Sequence, residues 1–537
     1  MGTFTFSPRN TREKVSVPIS MLLIAALLLS SPVTPSAQTT RHLRGSDGLA
    51  RAYDTILDAR SAGQLEIDLG RACPPAPPEA CQLLQVTGTW WRIQRDPNNR
   101  TFDAGFMRDA NAAIAAAEAW AEREPKSAEA WFYLGAAYAL RVQFRVLRDE
   151  KLSAARDGKR IKQALERSIA LDPQLNDAYF GIGLYEYYAD VAPAAAKFLR
   201  WLLLLPGGNK EAGLQRMVRA QSSGELLRGE ADFQLHIIYL WYENRPDRAF
   251  ELLDGLHDKH PTNALFPLLM GDIQDTYLHD PTAALATYGS VLSAAREERV
   301  GEPRMAETQA RIGMARQLDL MVETDRAIEY LKGALELRPE APYSARALAA
   351  LRLGTAYDRM GQRELASAAY RSAIAATPPD DPLGIVELAN PALGRPPDPR
   401  LAQAYRLSIE GWRALGRREL GAAGTALKQS LAIKSDDPVT QYRYARLLMA
   451  QGDSDAALVA FDRALKGKSN CPPTILAAAY LDAGRLHEHA GRRDRAAAMY
   501  RSASGVFGAS AETKATARRL LARLSAALVP SARGPKR

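Results

Sequence analysis

Seven histidines occur in this chain of 537 residues, and their spacing limits the metal chemistry they could support. His487 and His489 flank Glu488, whereas the two imidazoles of a zinc-peptidase helix need an i, i+4 spacing to share one face. His257 with His260 completes no ligand motif. Gly181-Ile182-Gly183 opens like a dinucleotide fingerprint, yet no strand pattern precedes it and the third glycine is missing, so helix packing is the expected role of these glycines. Arg156-Asp157-Gly158-Lys159-Arg160 lacks the Ser/Thr and the upstream Gly of a phosphate-binding loop and reads as a solvated turn. No GxSxG stretch is present, and no carboxylate pair stands out from the surface charge. These patterns predict no catalytic residue, no metal site and no cofactor, so the chain reads as a non-enzyme.

Two other groupings have chemical content. Tyr185, Tyr187 and Tyr188 lie in helical order with His236, Tyr239 and Trp241, and Glu186 and Glu243 stand among them. Aromatic residues at helical spacing pack between helices, and a pocket for a peptide or glycan is the alternative, which would make the chain a small-ligand or glycan-binding protein or an enzyme. Cys73 and Cys81 flank the stretch PPAPPEA, which could hold the two thiols close enough for a disulfide. Cys471 is left over and reads as an inert thiol in a loop.

The elements that must position these residues are helices. Ala, Leu and Arg dominate windows with apolar residues at helical spacing, and alternating strand patterns are nearly absent. A hairpin recurs: Gly354, Gly361, Ala366, Tyr370 and Ala373 fall at the same mutual offsets as Gly484, Gly491, Ala496, Tyr500 and Ala503. Residues 441–464 keep Ala445, Gly452, Ala457, Phe461 and Ala464, and residues 405–430 keep Trp412, Gly416, Ala423 and Leu427. Weaker copies occupy 310–339 and 265–292. Residues 130–138 read AWFYLGAAY, with the partner helix displaced by an insert of about twenty residues rich in Arg and Lys. A glycine in mid-helix costs roughly 1 kcal/mol against alanine, so Gly354 and Gly484 predict close helix approach, with Tyr370 and Tyr500 filling the space alongside.

This pattern resembles the tetratricopeptide repeat family. The resemblance implies an all-α, right-handed superhelical solenoid of antiparallel helix pairs that binds other proteins in its concave groove. In that family the first helix of each hairpin lines the groove. Carried onto the matching hairpins, the groove would present Asp358, Arg359, Arg406, Glu410, Arg413, Tyr442, Arg446, Arg485 and Glu488, a predominantly basic set. An acidic or carboxylate-bearing segment of a protein partner is the ligand such arginines would suit. The Lys and Asn set by which chaperone-binding members clamp a terminal carboxylate is missing.

Charge and leader complete the reading. The net charge is +9, of which residues 1–37 contribute +2 and residues 514–537 contribute +7, leaving the rest neutral. Leu520, Leu521, Leu524 and Leu528 recur at helical spacing among Arg518, Arg519 and Arg523, so residues 511–528 read as a basic amphipathic helix. It would cap the last repeat; contact with an anionic membrane, making the chain an envelope-anchored structural protein, is the alternative. Arg9, Arg12 and Lys14 precede an apolar run at 21–29 and the stretch Pro35-Ser36-Ala37, which together have the form of a signal peptide over residues 1–37. Export to the periplasm or cell envelope of a bacterium is therefore expected, and nucleic acid is not an expected partner. The expected organisation is an N-terminal helical segment at 38–110, divergent hairpins at 111–376, a proline-rich connecting loop at 377–400, further repeats at 401–510, the capping helix, and a disordered basic tail at 529–537.

Overall fold

The computed structural model describes residues 41–191 and 207–526. The signal peptide and the basic tail lie outside the described residues. Among the described residues there are 24 α-helices and no strand.

Three helices open the fold: α1 (Ser46–Leu57), α2 (Ala62–Ala72) and α3 (Pro78–Arg95). Cys73 and Cys81 form a disulfide across the α2–α3 turn, with their Cα atoms 6.5 Å apart. In the chain-entropy view so short a closed loop contributes about 2–3 kcal/mol. The double variant Cys73→Ser, Cys81→Ser is expected to unfold at lower urea by that margin, and reductant is expected to lower the stability of the native chain but not that of the variant.

Next come α4 (Asp103–Arg123), α5 (Ala128–Leu147), α6 (Lys151–Leu171), α7 (Ala178–Val191), α8 (Lys210–Ser223), α9 (Arg228–Trp241) and α10 (Pro246–Lys259). The basic insert after residue 138 is absorbed as extra turns of α5 and α6. Arg156-Asp157-Gly158-Lys159-Arg160, expected as a solvated turn, instead lies inside α6. There Asp157 is buried and accepts hydrogen bonds from Arg141 at 2.8 Å and Arg145 at 2.5 Å, which fastens the two extended helices together. Gly183 and Gly213 let α7 and α8 touch backbone to backbone: a Cβ on Gly183 would stand 2.6 Å from the Gly213 carbonyl oxygen. Helix packing is thus the role of Gly183, and no strand precedes it.

The regular hairpins follow: α11 (Leu265–Thr276) with α12 (Pro281–Arg296), α13 (Pro303–Leu320) with α14 (Thr324–Glu336), and α15 (Ala345–Arg359) with α16 (Arg363–Ala376). After a single helix α17 (Ile385–Gly394) come α18 (Pro399–Gly416) with α19 (Leu420–Ile433), α20 (Pro438–Ala450) with α21 (Ser454–Lys466), and α22 (Pro473–His489) with α23 (Arg493–Gly505). The last helix is α24 (Ala511–Ala526). Two first helices, α18 and α20, start at an Asp-Pro pair. Asp437 accepts from Thr440 N at 2.9 Å and Asp398 from Arg400 N at 2.8 Å, and the following proline supplies a first helical residue that needs no hydrogen-bond acceptor.

The loop expected at 377–400 requires correction, because α17 lies within it. Ile385 and Ala389, one turn apart, are both fully buried against the preceding hairpin, while Asp381 caps the helix through Ile385 N and Val386 N. Pro391 falls in its last turns, where it leaves the first turn intact.

The hairpins α11–α12, α15–α16 and α22–α23 are held by the complementarity of a glycine and an aromatic residue. A Cβ on Gly354 would stand 2.6 Å from the Tyr370 ring, and one on Gly484 would stand 2.6 Å from the Tyr500 ring. Gly354→Val therefore overpacks the hairpin and is expected to destabilise it by about 1–3 kcal/mol, read as an earlier urea transition. The first helix of each hairpin also packs on the first helix of the next, which makes the first helices the inner layer. Helix α24 closes the stack: Ala517 and Leu524 are buried against Tyr500 and Ala503 of α23, and Leu520 and Leu521 pack at the margin of the same cluster. Its apolar stripe is thus used on the last repeat.

Candidate functional site

The inner layer is not an open groove along its whole length. In the first half it is filled by the N-terminal helices. Trp91 of α3 is fully buried against Phe233 of α9 and Phe266 of α11, and its indole N–H donates to Glu230 at 3.2 Å. Tyr53 of α1 donates to the same carboxylate at 2.6 Å, and burial raises the pKa of Glu230. Further along, Asn263 donates to Leu57 O at 2.8 Å, Arg95 forks onto Glu302, and Asp96 accepts from Tyr343 N at 2.9 Å. A small cavity of about 60 Å³ remains between Tyr53, Leu84, Phe132, Tyr133 and Glu230.

In the second half the inner helices carry the charged set, and the structure pairs most of it. Asp358 is buried and accepts from Arg363 and from the Tyr370 hydroxyl, both at 3.0 Å, so it is a hairpin constituent. Arg359 pairs with Asp319 of α13. Arg413 forks onto Asp325 at 2.6 and 2.7 Å and reaches Glu323 at 3.3 Å, which holds the Asp325 carboxyl below its ordinary range. Arg446 and Arg485 converge on buried Asp482 at 3.0 and 3.1 Å, and Tyr442 is buried beside Arg446. Glu488 accepts from Tyr500 at 2.6 Å and from Arg523 of α24 at 2.5 Å. Arg406 meets only Glu410 of its own helix, at 3.5 Å. The basic character expected of this face is therefore largely offset by carboxylates from neighbouring repeats, which the spacing within a single hairpin does not reveal.

One open cavity, of about 680 Å³, lies where α18, α19 and α20 meet, with Trp412 at its centre and Arg413, Arg418 and Arg446 around it. Arg443, behind Trp412, was not among the expected residues. Its guanidinium is 2 % exposed, lies 5.7 Å from the Trp412 ring, and donates to Ser408 Oγ at 3.0 Å and to Val322 O at 2.6 Å. Burial pushes its pKa down to about 10.

The aromatic set does not converge on one pocket. Tyr187 is buried and bonds to Glu243, while Tyr187, Tyr188 and Tyr242 stack edge to face. His236 lies in the interior against Phe233 at 4.7 Å, Tyr239 stands under Arg245, and Trp241 is 64 % exposed. Tyr185 sits over Gly158 of α6. The leftover Cys471 is buried, which pushes its thiol up to about 12 and keeps it protonated and unreactive. Among the described residues no group of three or more His, Cys, Asp or Glu is placed to hold a metal ion, and no helix is long and apolar enough to cross a membrane.

Stacked antiparallel hairpins with an inner layer of first helices define a helical-repeat protein. One of these hairpins is matched by a family model: residues 347–380, covering most of α15 and all of α16, match the model of the tetratricopeptide repeat. No curated protein matches the sequence. Similar solved structures include a tetratricopeptide repeat protein from Parabacteroides merdae, at 17 % identity over 55 % of this chain and 98 % of that one, with a TM-score of 0.25. A Rap protein complexed with competence and sporulation factor is 13 % identical over 89 % of this chain and 99 % of that one, with a TM-score of 0.30. A TPR2AB-domain:pHSP90 complex of yeast Sti1 is 12 % identical over 56 % of this chain and 98 % of that one, with a TM-score of 0.21.

Proposed function

We propose that this chain is a non-enzymatic scaffold of the cell envelope that binds acidic segments of partner proteins on the inner face of α18, α20 and α22. The observation that carries the reading is the run of tetratricopeptide-type hairpins from α11 to α23, whose inner helices present arginines. Arrays of this kind use their continuous inner surface for recognition. The leader-like residues 1–37 and the Cys73–Cys81 disulfide support an oxidising, exported setting.

Affinity capture from envelope extract tests the reading, with the full chain expressed with its leader and compared with the variant Arg406→Glu, Arg418→Glu. Among the described residues these two arginines pair with no carboxylate of another repeat, so reversing them leaves the ion pairs between repeats intact. A small set of proteins held by the native form and lost by the variant is the expected result; retention of the same set by both would reject the arginine face. N-terminal sequencing of the exported form is expected to begin near residue 38, and an intact N-terminus would reject export by a cleaved leader.

A further inference from the structure

The proposal above leaves open what the buried Arg443 does, and its surroundings are unusual in three ways. First, among the described residues no carboxylate bonds to it directly: its bonds go to the Ser408 hydroxyl and to a main-chain carbonyl, Val322 O, contributed by the turn between α13 and α14, 121 residues away, while Glu323 and Asp437 act on its charge without bonding to it. A guanidinium removed from water ordinarily has a carboxylate beside it. Second, the turn that supplies the carbonyl is strained. Val322 has φ +59°, in the left-handed region, where a β-branched side chain is an outlier; at the matching position Gly361, Gly452 and Gly491 stand in three other hairpins and the unbranched-at-Cβ His279 and Arg418 in two more. Third, the turn is fastened to the inner layer by polar groups. Thr324 and Tyr405 share a hydroxyl bond of 2.7 Å, and Arg413 takes both Asp325 and Glu323. Polar interfaces of this sort within one chain resemble those between transient partners.

We propose that the α13–α14 turn is a resident stand-in for a ligand, and that Arg443 with Ser408, where Arg443 packs on the Trp412 ring that lines the cavity, is a binding site for the carboxylate of an acidic peptide segment. The Val322 carbonyl stands in for one carboxylate oxygen, and Glu323 and Asp325 stand in for further acidic side chains on Arg413. The cavity beside Trp412, with Arg418 and Arg446 on its rim, has room for the neighbouring side chains of the segment. A bound segment displaces the turn, which releases the strain at Val322 and gives Arg443 a directly bonded carboxylate. This reading rests on the scaffold function proposed above and narrows it to one site.

The test uses the full mature chain, a fluorescein-labelled octamer of glutamate as probe and an octamer of lysine as control. Anisotropy is expected to show binding of the glutamate peptide alone. Thr324→Val, which unfastens the turn without altering charge, is expected to tighten binding about tenfold. Arg443→Gln is expected to remove that gain, and Arg443→Lys, which keeps the charge but loses the fork, to restore only part of it; circular dichroism establishes that each variant is folded. Hydrogen exchange supplies a readout independent of these variants: amides of residues 319–326 should exchange faster in the native chain when the peptide is bound. Unchanged exchange there despite binding would overturn the stand-in role while leaving the arginine-face scaffold intact. Loss of partner capture by the Arg406→Glu, Arg418→Glu variant together with no binding of the glutamate peptide would overturn this site alone, and failure of both experiments would overturn the scaffold reading as well.

Discussion

Trp91→Ala is expected to destabilise the N-terminal half of the protein by about 3–5 kcal/mol, the range for deleting a fully buried large aromatic side chain. The size of the effect follows from position. Trp91 is the point at which α3 meets the inner layer, against Phe233 at 4.7 Å and Phe266 at 6.2 Å between ring centroids. Truncation removes the indole from both contacts and also removes one of the three donors that satisfy the buried Glu230 carboxylate, the others being Tyr53 and Gln234. Leaving an acceptor short of partners in the interior adds to the cavity term. Because long repeat arrays do not unfold as one unit, the change should show as an early separate step in urea unfolding and as proteolysis confined to residues 41–102, with the transition of the later hairpins unmoved. Trp241→Ala is the control: that indole is 64 % exposed, and its loss should shift stability by no more than about 0.5 kcal/mol.

The same contrast explains what was legible in the sequence. Each hairpin is a local object. Gly354 and Tyr370 are 16 positions apart, and the glycine in mid-helix has no explanation other than a bulky neighbour, so the pair announces its own contact. Asp-Pro helix starts are equally local. What fills the inner layer is a long-range matter. Trp91 meets Glu230 across 139 positions, and Arg443 meets Val322 across 121, and neither segment carries a signal that names the other. The charged set was read as a basic face because an arginine on a helix surface looks the same whether its carboxylate lies in solvent or on the next repeat. Arg446 and Asp482 show the difference, since Asp482 has an acidic side chain within its own helix that is buried only once α20 and α22 are stacked. Helix α17 was missed for another reason: Ile385 and Ala389 have the one-turn spacing of a buried face, but the prolines around them weighed more heavily than a stripe of two residues. Val322 was the one signal of the proposed stand-in turn in plain view, a β-branched residue at the offset where three of the other hairpins have glycine.

Acid should weaken the native protein through His236. The ring is buried beside Phe233, and its Nδ1–H donates to the Phe233 carbonyl. Burial pushes its pKa down from 6.5 to about 4, outweighing the hydrogen bond to the carbonyl, which acts in the opposite sense. The sign follows from proton binding. Above pH 6.5 the imidazole is neutral in both the folded and unfolded chain and contributes no pH dependence. As pH falls below 6.5 the unfolded chain takes up a proton that the folded chain refuses, so folding stability declines until about pH 4, where the native ring also protonates. The slope is about 1.4 kcal/mol per pH unit, and the whole window is worth about 3 kcal/mol. His236→Phe keeps an aromatic ring against Phe233 and removes the titration. Urea midpoints for the two forms should run parallel above pH 7 and diverge below pH 6, with the native chain falling faster. Parallel curves down to pH 4.5 would mean that the native imidazole is reached by protons, and that α9 opens in acid before the rest of the array.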